Sequence, residues 1–110
     1  MLFINVKEDY QNVEVALAVI EIEVENAKKS GQIALKILHG YGSHGVGGAL
    51  CQAIRAKCRL WKRSGFIKDF ILGSEYHFSN PKTAKLLAAD KSIYDEDLYT
   101  LNPGITVIIV

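Results

Sequence analysis

The chain has 110 residues, 49% of them apolar and 23% charged. That is the size and balance of one globular domain, and it leaves no room for a second core. A formal net charge of +1 supplies no global field for gathering nucleic acid or a membrane surface, so electrostatic partners must be read from local patches. No run approaches the roughly 18 uninterrupted apolar residues of a membrane span, and Lys7 interrupts the start before a signal peptide's apolar region could form. The expectation is a single cytoplasmic domain over 1–110 with no membrane partner.

In chain order, residues 2–6 form a short apolar run that predicts a first strand. Val13, Leu17, Ile20, Val24 and Ala27 recur at helical spacing, with Glu14, Glu21, Glu25 and Lys28 on another face, which predicts a helix over 12–30. Val15, Val19 and Ile22 widen its apolar stripe, so this helix is expected to pack on more than one neighbour. Asn12 suits its start and Gly31 its stop. Residues 33–38 read as a second strand, which breaks into a loop over 39–48. A second helix over 48–64 buries Leu50, Ile54, Cys58 and Trp61 and ends at Gly65, and residues 66–72 are a third strand.

After a long connection, Asn80-Pro81 marks the start of a short helix. The acidic residues Asp95, Glu96 and Asp97 follow, then the turn Asn102-Pro103-Gly104. Residues 105–110 form a last strand, so apolar that burial on both faces is expected. Cys51 and Cys58, on one helix, stand about 10 Å apart along its axis. That is too far for a disulfide, and the spacing is not that of a zinc site, so both read as reduced and buried.

The loop over 39–48 carries five glycines, two histidines, a tyrosine and a serine. A strand entering a glycine-rich loop and then a helix presents backbone N–H groups near the helix's positive end, a natural anion site. Gly40-x-Gly42-x-x-Gly45 matches the dinucleotide fingerprint, but it follows the second strand and too little chain remains for the cofactor crevice. The P-loop pattern is absent, and a plain tight turn is the simplest alternative.

His39 stands at the C-terminal end of a central strand, where open α/β sheets place ligands. It is the candidate catalytic residue, as acid or base, against the alternative of a histidine that orders the loop by bonding a backbone carbonyl. Ser43 and His44 are candidate phosphate donors; His77 has no visible partner. Arg55, Arg59 and Lys62 share a helical stripe within a basic stretch that also holds Lys57, Arg63 and Lys68. That stretch could track a phosphate backbone or be a solvated face. A small-nucleotide site using the loop alone is a further reading.

The segment IALKILHGYGSHGVGGALCQAI resembles the Smr (small MutS-related) domain, whose signature is an apolar strand, His-Gly-x-Gly and a helix. The first helix and NPGITVIIV resemble the family's flanking segments. The resemblance covers nearly the whole chain except the connection over 74–101, which is longer than the family's. It implies a two-layer α/β sandwich similar to the C-terminal domain of bacterial translation initiation factor three, here β-α-β-α-β-(α)-β with a mixed, mostly parallel four-stranded sheet. It also implies binding of DNA or RNA, with endonuclease activity in several members, and places His39, Gly40 and Gly42 on signature positions.

The Asp-Leu-His stretch that the family carries at the end of its first strand, implicated in activity, is missing; Asn5-Val6-Lys7 or Lys7-Glu8-Asp9 stands there, which weakens the site as a nuclease and leaves it intact as a phosphate-binding surface. The expected function is nucleic-acid binding through Lys7, Gly40, Tyr41, Gly42, Ser43, His44, Arg55, Arg59 and Lys62. The alternative is an endonuclease using His39, with Mg²⁺ or Mn²⁺ held by Asp9 or Asp69.

Overall fold

Residue spacing sets the two long helices. In α1 (Val13–Lys29), Ala16, Ile20, Val24 and Ala27 recur every three or four residues and are buried, forming one stripe. The Asn12 side chain caps the helix by accepting from the amides of Glu14 and Val15. The wider stripe expected from Val15, Val19 and Ile22 is not buried: Val15 and Ile22 are exposed and Val19 is half-buried. At about 100° per residue, Ile22 lies on the far side of the helix from Ile20, so α1 packs along one narrow line. In α2 (Val46–Ser64) the expected stripe of Leu50, Ile54, Cys58 and Trp61 is buried, each large apolar side chain contributing about 1.5–3 kcal/mol. Gly65, at φ +83°, ends that helix.

The computed structural model describes residues 1–7, 12–41 and 46–110, without the side chains of Val46 and Gly47. Among them, β1 (Leu2–Asn5), β2 (Ala34–Leu38), β3 (Asp69–Leu72) and β4 (Ile105–Ile109) form a four-stranded sheet in the order β1-β2-β4-β3. The sheet is mixed, as expected, and β1, β2 and β3 run the same way. The last strand enters between β2 and β3 and is antiparallel to both, so β1·β2 is the parallel pair. β3 begins later than the sequence pattern suggests because Phe66 and Ile67 lie in the bend that follows α2 and turn back onto its last turn. The Ile67 amide bonds the Trp61 carbonyl, and the Phe66 ring lies 5.5 Å from that of Trp61.

α1 and α2 cover one face of the sheet, packing Ile20, Val24, Ile54 and Trp61 on Leu35, Ile37 and Ile108. The long connection covers the other. It holds the 3-10 turns Gly73–Glu75 and Lys91–Ile93, the expected helix α3 (Pro81–Ala89) capped by Asn80, and the short α4 (Asp97–Thr100). Tyr76, Leu86, Ile93 and Leu98 pack there on Ala34, Ile71, Ile105 and Val107. The α/β sandwich thus gains a further layer, and the last strand is buried on both faces as its apolar sequence predicts. Both cysteines are free and buried, and burial pushes the Cys58 thiol up to about 12, far from a reactive thiolate.

Lys36 of β2 points into this second face. Its Nζ donates to the carboxylates of Asp95 and Asp97 and sits 5.7 Å from the Tyr76 ring centre. Burial works to lower its pKa, but the hydrogen bonds and charges of the two aspartates outweigh that and hold it above the ordinary 10.5.

Candidate functional site

Side chains alternate along β2, so Leu35, Ile37 and then His39 face α1 and α2. His39 is fully buried. Its Nδ1 lies 2.7 Å from the Gly40 carbonyl and its Nε2 2.8 Å from Thr106 Oγ1 on β4. A carbonyl only accepts, so Nδ1 carries the proton and Nε2 accepts from the threonine hydroxyl. Burial lowers the imidazole pKa below 6.5; the Gly40 bond works against this and the Arg55 charge adds to it. His39 is therefore a neutral ring at pH 7 that joins the exit of β2 to the entry of β4.

The backbone at this point is packed glycine against glycine. Gly104 is fixed by the Asn102 side chain, whose Oδ1 accepts from its amide at 2.9 Å. The Gly104 carbonyl accepts from the amides of both His39 and Gly40, at 2.9 and 3.0 Å. A Cβ on Gly104 would lie 3.3 Å from the Gly40 Cα. Gly40 itself adopts φ +77°, a conformation costly for other residues, and the chain leaves the sheet there.

Lys7 arrives from the neighbouring strand. The parallel register pairs Asn5 with Leu38, so two residues further on Lys7 comes beside Gly40. Its aliphatic stem lies 3.3 Å from where a Gly40 Cβ would be. The Asn5 side chain, accepting from the Lys7 amide at 2.9 Å, turns the chain at the strand's end. Arg55 comes from α2, with its guanidinium 6.0 Å from the ring of the exposed Tyr41. Its Nε is buried with no hydrogen-bond partner among the described residues.

The structure thus brings Lys7, His39, Gly40, Tyr41 and Arg55 together at the C-terminal ends of β1 and β2. Arg59 is exposed one turn further along α2. Lys62 is not part of this cluster. Seven residues beyond Arg55 it stands about 10 Å further along the helix and pairs with Asp69 Oδ1 at 3.1 Å, a carboxylate it shares with Lys82. Gly42, Ser43, His44 and Asp9 lie outside the described residues.

Asp69 does not fit the role of metal holder. It begins β3, at the end of the sheet opposite the loop. The five residues of β4 that separate Gly104 from Ile109, its register partner, span about 17 Å. Its charge is already engaged by two ammonium groups, and no cleavage step is derived through it. Among the described residues, no three His, Cys, Asp or Glu side chains gather as a metal site would require. None of the helices described is long and apolar enough to cross a membrane.

Two features here had no local signal in the sequence: Thr106 as the partner of His39, and Gly104 as the acceptor for the loop's first amides. Thr106 lies in β4 and Gly104 in the turn just before it, more than sixty residues away.

No protein-family model matches the chain, and no curated protein matches it significantly. Among solved structures it is similar to the crystal structure of the Smr domain of Thermus thermophilus MutS2. Identity is 23% and the TM-score 0.61, over 99% of this chain and 96% of that one. The likeness shows the fold: this chain has an Smr-domain fold, as the His39-Gly40-Tyr41-Gly42 segment and its flanking strand and helix implied.

Proposed function

We propose that this chain with an Smr-domain fold binds DNA or RNA by its phosphate backbone at the loop end of the sheet. The observation that carries the proposal is the convergence of two cations, Lys7 and Arg55, on Gly40 and Tyr41, just before the glycine-rich segment that opens α2. A phosphate there meets two positive side chains and the positive end of a 19-residue helix. Tyr41, exposed and beside Arg55, offers a face to a sugar or base. Gly42, Ser43 and His44 supply further donors in this reading, and Arg59 extends the cationic line along α2. Lys62 is a weaker contributor because Asp69 already holds it.

His39 serves this surface by position. Its two hydrogen bonds set where Gly40 and Tyr41 leave the sheet. For His39 to act as general acid or base, one ring nitrogen must exchange Gly40 or Thr106 for substrate.

Fluorescence anisotropy with labelled single- and double-stranded DNA and RNA tests the reading. Affinity should fall steeply between about 50 and 200 mM salt and vary little with sequence. Lys7→Ala and Arg55→Ala should each weaken binding and reduce the salt slope by about one. Absence of binding to every polymer at about 50 mM salt overturns the proposal. Cutting of supercoiled DNA or structured RNA with Mg²⁺ or Mn²⁺, lost in His39→Ala, would add hydrolysis to it. Stabilisation by mononucleotides without polymer binding would replace it with a small-nucleotide site.

A further inference from the structure

We propose that the layer over the second face of the sheet carries a docking surface for an extended, arginine-bearing peptide segment of a partner protein. The surface is a line of aromatic rings. His77 and Phe78 lie 4.4 Å apart, Phe78 and Tyr99 5.5 Å, and Tyr99 and Tyr94 5.9 Å, centre to centre. Phe78, Tyr94 and Tyr99 are each about half exposed, as is Leu101, which borders one end of the line with Glu75 and His77. Other large apolar side chains, such as Phe3 and Leu60, are also exposed, but here three exposed aromatic side chains touch one another and form a continuous patch.

The charge around the rings selects the occupant. Residues 92–101 contain Asp95, Glu96 and Asp97 and no base. The buried Lys36 balances only one of the two aspartates it joins. Glu96 and Glu75 are exposed, and Lys91, beside Tyr94, is the cation at the far end. A nucleic-acid strand could stack on the rings, but its phosphates would lie against these carboxylates. A second copy related by a two-fold axis would bring the same acidic patch against itself.

A cationic peptide meets neither objection. Guanidinium groups stack on aromatic faces and pair with carboxylates in a fork geometry. Phe78–Tyr99 and Tyr94–Tyr99 meet edge to face, at 78° and 75°, and each of the three side chains keeps about half of its surface exposed. The ring spacings of 5.5 and 5.9 Å are close to the advance of two residues in a strand-like extended chain, at about 3.3 Å each, whose alternate side chains share one face and so can engage successive rings. This inference is independent of the nucleic-acid reading. It uses the opposite sign of charge and neither Lys7 nor Arg55.

The test is titration of the whole chain against a fluorescein-labelled peptide of alternating arginine and proline. Alternating glutamate and proline, and oligothymidylate, are the controls. Circular dichroism establishes that Tyr99→Ala and Tyr94→Ala, both at exposed positions, remain folded. The Arg-Pro peptide should bind, the Glu-Pro peptide should not, and Tyr99→Ala should weaken binding about tenfold. Glu96→Gln should weaken it less, while Lys7→Ala and Arg55→Ala leave it unchanged. Peptide binding that survives both tyrosine substitutions, or no binding at low salt, overturns the proposal. So does oligothymidylate binding that depends on Tyr99, which would move nucleic acid to this face, or self-association lost in Tyr99→Ala, which would assign the surface to a second copy.

Discussion

Lys36, in the middle of β2, and His39, just past its end, sit three residues apart on opposite faces of the sheet, both buried. The molecule accommodates them in opposite ways. Lys36 keeps its charge because Asp95 and Asp97 reach it, and their effect exceeds the cost of burial. His39 has only dipoles for partners, the Gly40 carbonyl and the Thr106 hydroxyl, with a cation nearby, so burial leaves it neutral. A buried titratable group holds its charge where counter-charges are delivered and gives it up where they are not. The two are also linked. Asp97 accepts from Asn102 Nδ2 at 3.5 Å, Asn102 fixes Gly104, and Gly104 holds His39 and Gly40. The charged side of the comparison therefore braces the neutral one.

The largest expected effect breaks the charged side. Lys36→Ala leaves two carboxylates facing a buried space and should cost about 3–5 kcal/mol in urea unfolding. Lys36→Met combined with Asp95→Asn and Asp97→Asn should recover most of that, because the charges leave together. Since the Lys36 pKa is raised in the folded state, its contribution is present below about pH 10.5 and lost as pH rises through the folded value. Alkaline unfolding should accordingly be steeper in the wild type than in the triple variant. A cost under about 1 kcal/mol for Lys36→Ala would show the pair to behave as a solvated surface bridge.

Next is the glycine-built side. Gly40→Val places a β-branched residue at φ +77° with its Cβ 3.3 Å from the Lys7 stem. It should cost about 1–3 kcal/mol and impair nucleic-acid binding more than that loss of stability explains. Normal affinity in a folded Gly40→Val protein would reduce this part of the loop to a turn. Thr106→Val is smaller. Removing the hydroxyl leaves His39 Nε2 buried without a donor, worth about 1–2 kcal/mol, and a loss near zero would mean that the ring had turned to another partner.

The smallest effect is a slope. The folded pKa of His39 lies below its unfolded value of about 6.5, so the unfolded chain takes up the proton first as pH falls. The stability owed to His39 is complete above about pH 6.5 and declines from there down to the folded pKa. Urea midpoints measured from pH 7.5 to 5 should show this decline in the wild type and a shallower one in His39→Gln. Equal slopes would show that His39 is not kept neutral by the fold.

Much of the scaffold was legible because it is local. The stripe Leu50, Ile54, Cys58 and Trp61, the Asn80-Pro81 helix start and the doubly buried last strand are patterns within a few residues, and each appears where the spacing put it. Val15 and Ile22 misled because apolar character is only permission to be buried; the angle around the helix decided which line was used. The candidate site was legible as a set of residue types, though not in its extent. The stripe Arg55, Arg59 and Lys62 exists by helical geometry, yet among the described residues Arg55 stands beside Tyr41 while Lys62, further along the helix, is held by Asp69. The acidic run Asp95 to Asp97 was visible, but its partner Lys36 stands some sixty residues earlier, in a strand whose pattern gives no reason to expect a buried charge.

By itself, then, the sequence determined the order and kind of the long elements, the buried stripes of α2 and β4, and the position of the chain's glycine-rich exit from the sheet. All of these follow from periodicity and backbone conformation over short spans. The tertiary structure alone decided that β4 runs antiparallel between β2 and β3, that the long connection covers the second face, and that His39 is closed off between Gly40 and Thr106. It also decided that Lys7 comes beside Gly40 and Arg55 beside Tyr41. Those outcomes depend on which distant segments share the interior, where burial makes each polar group's partner obligatory, and sequence distance carries no record of that choice.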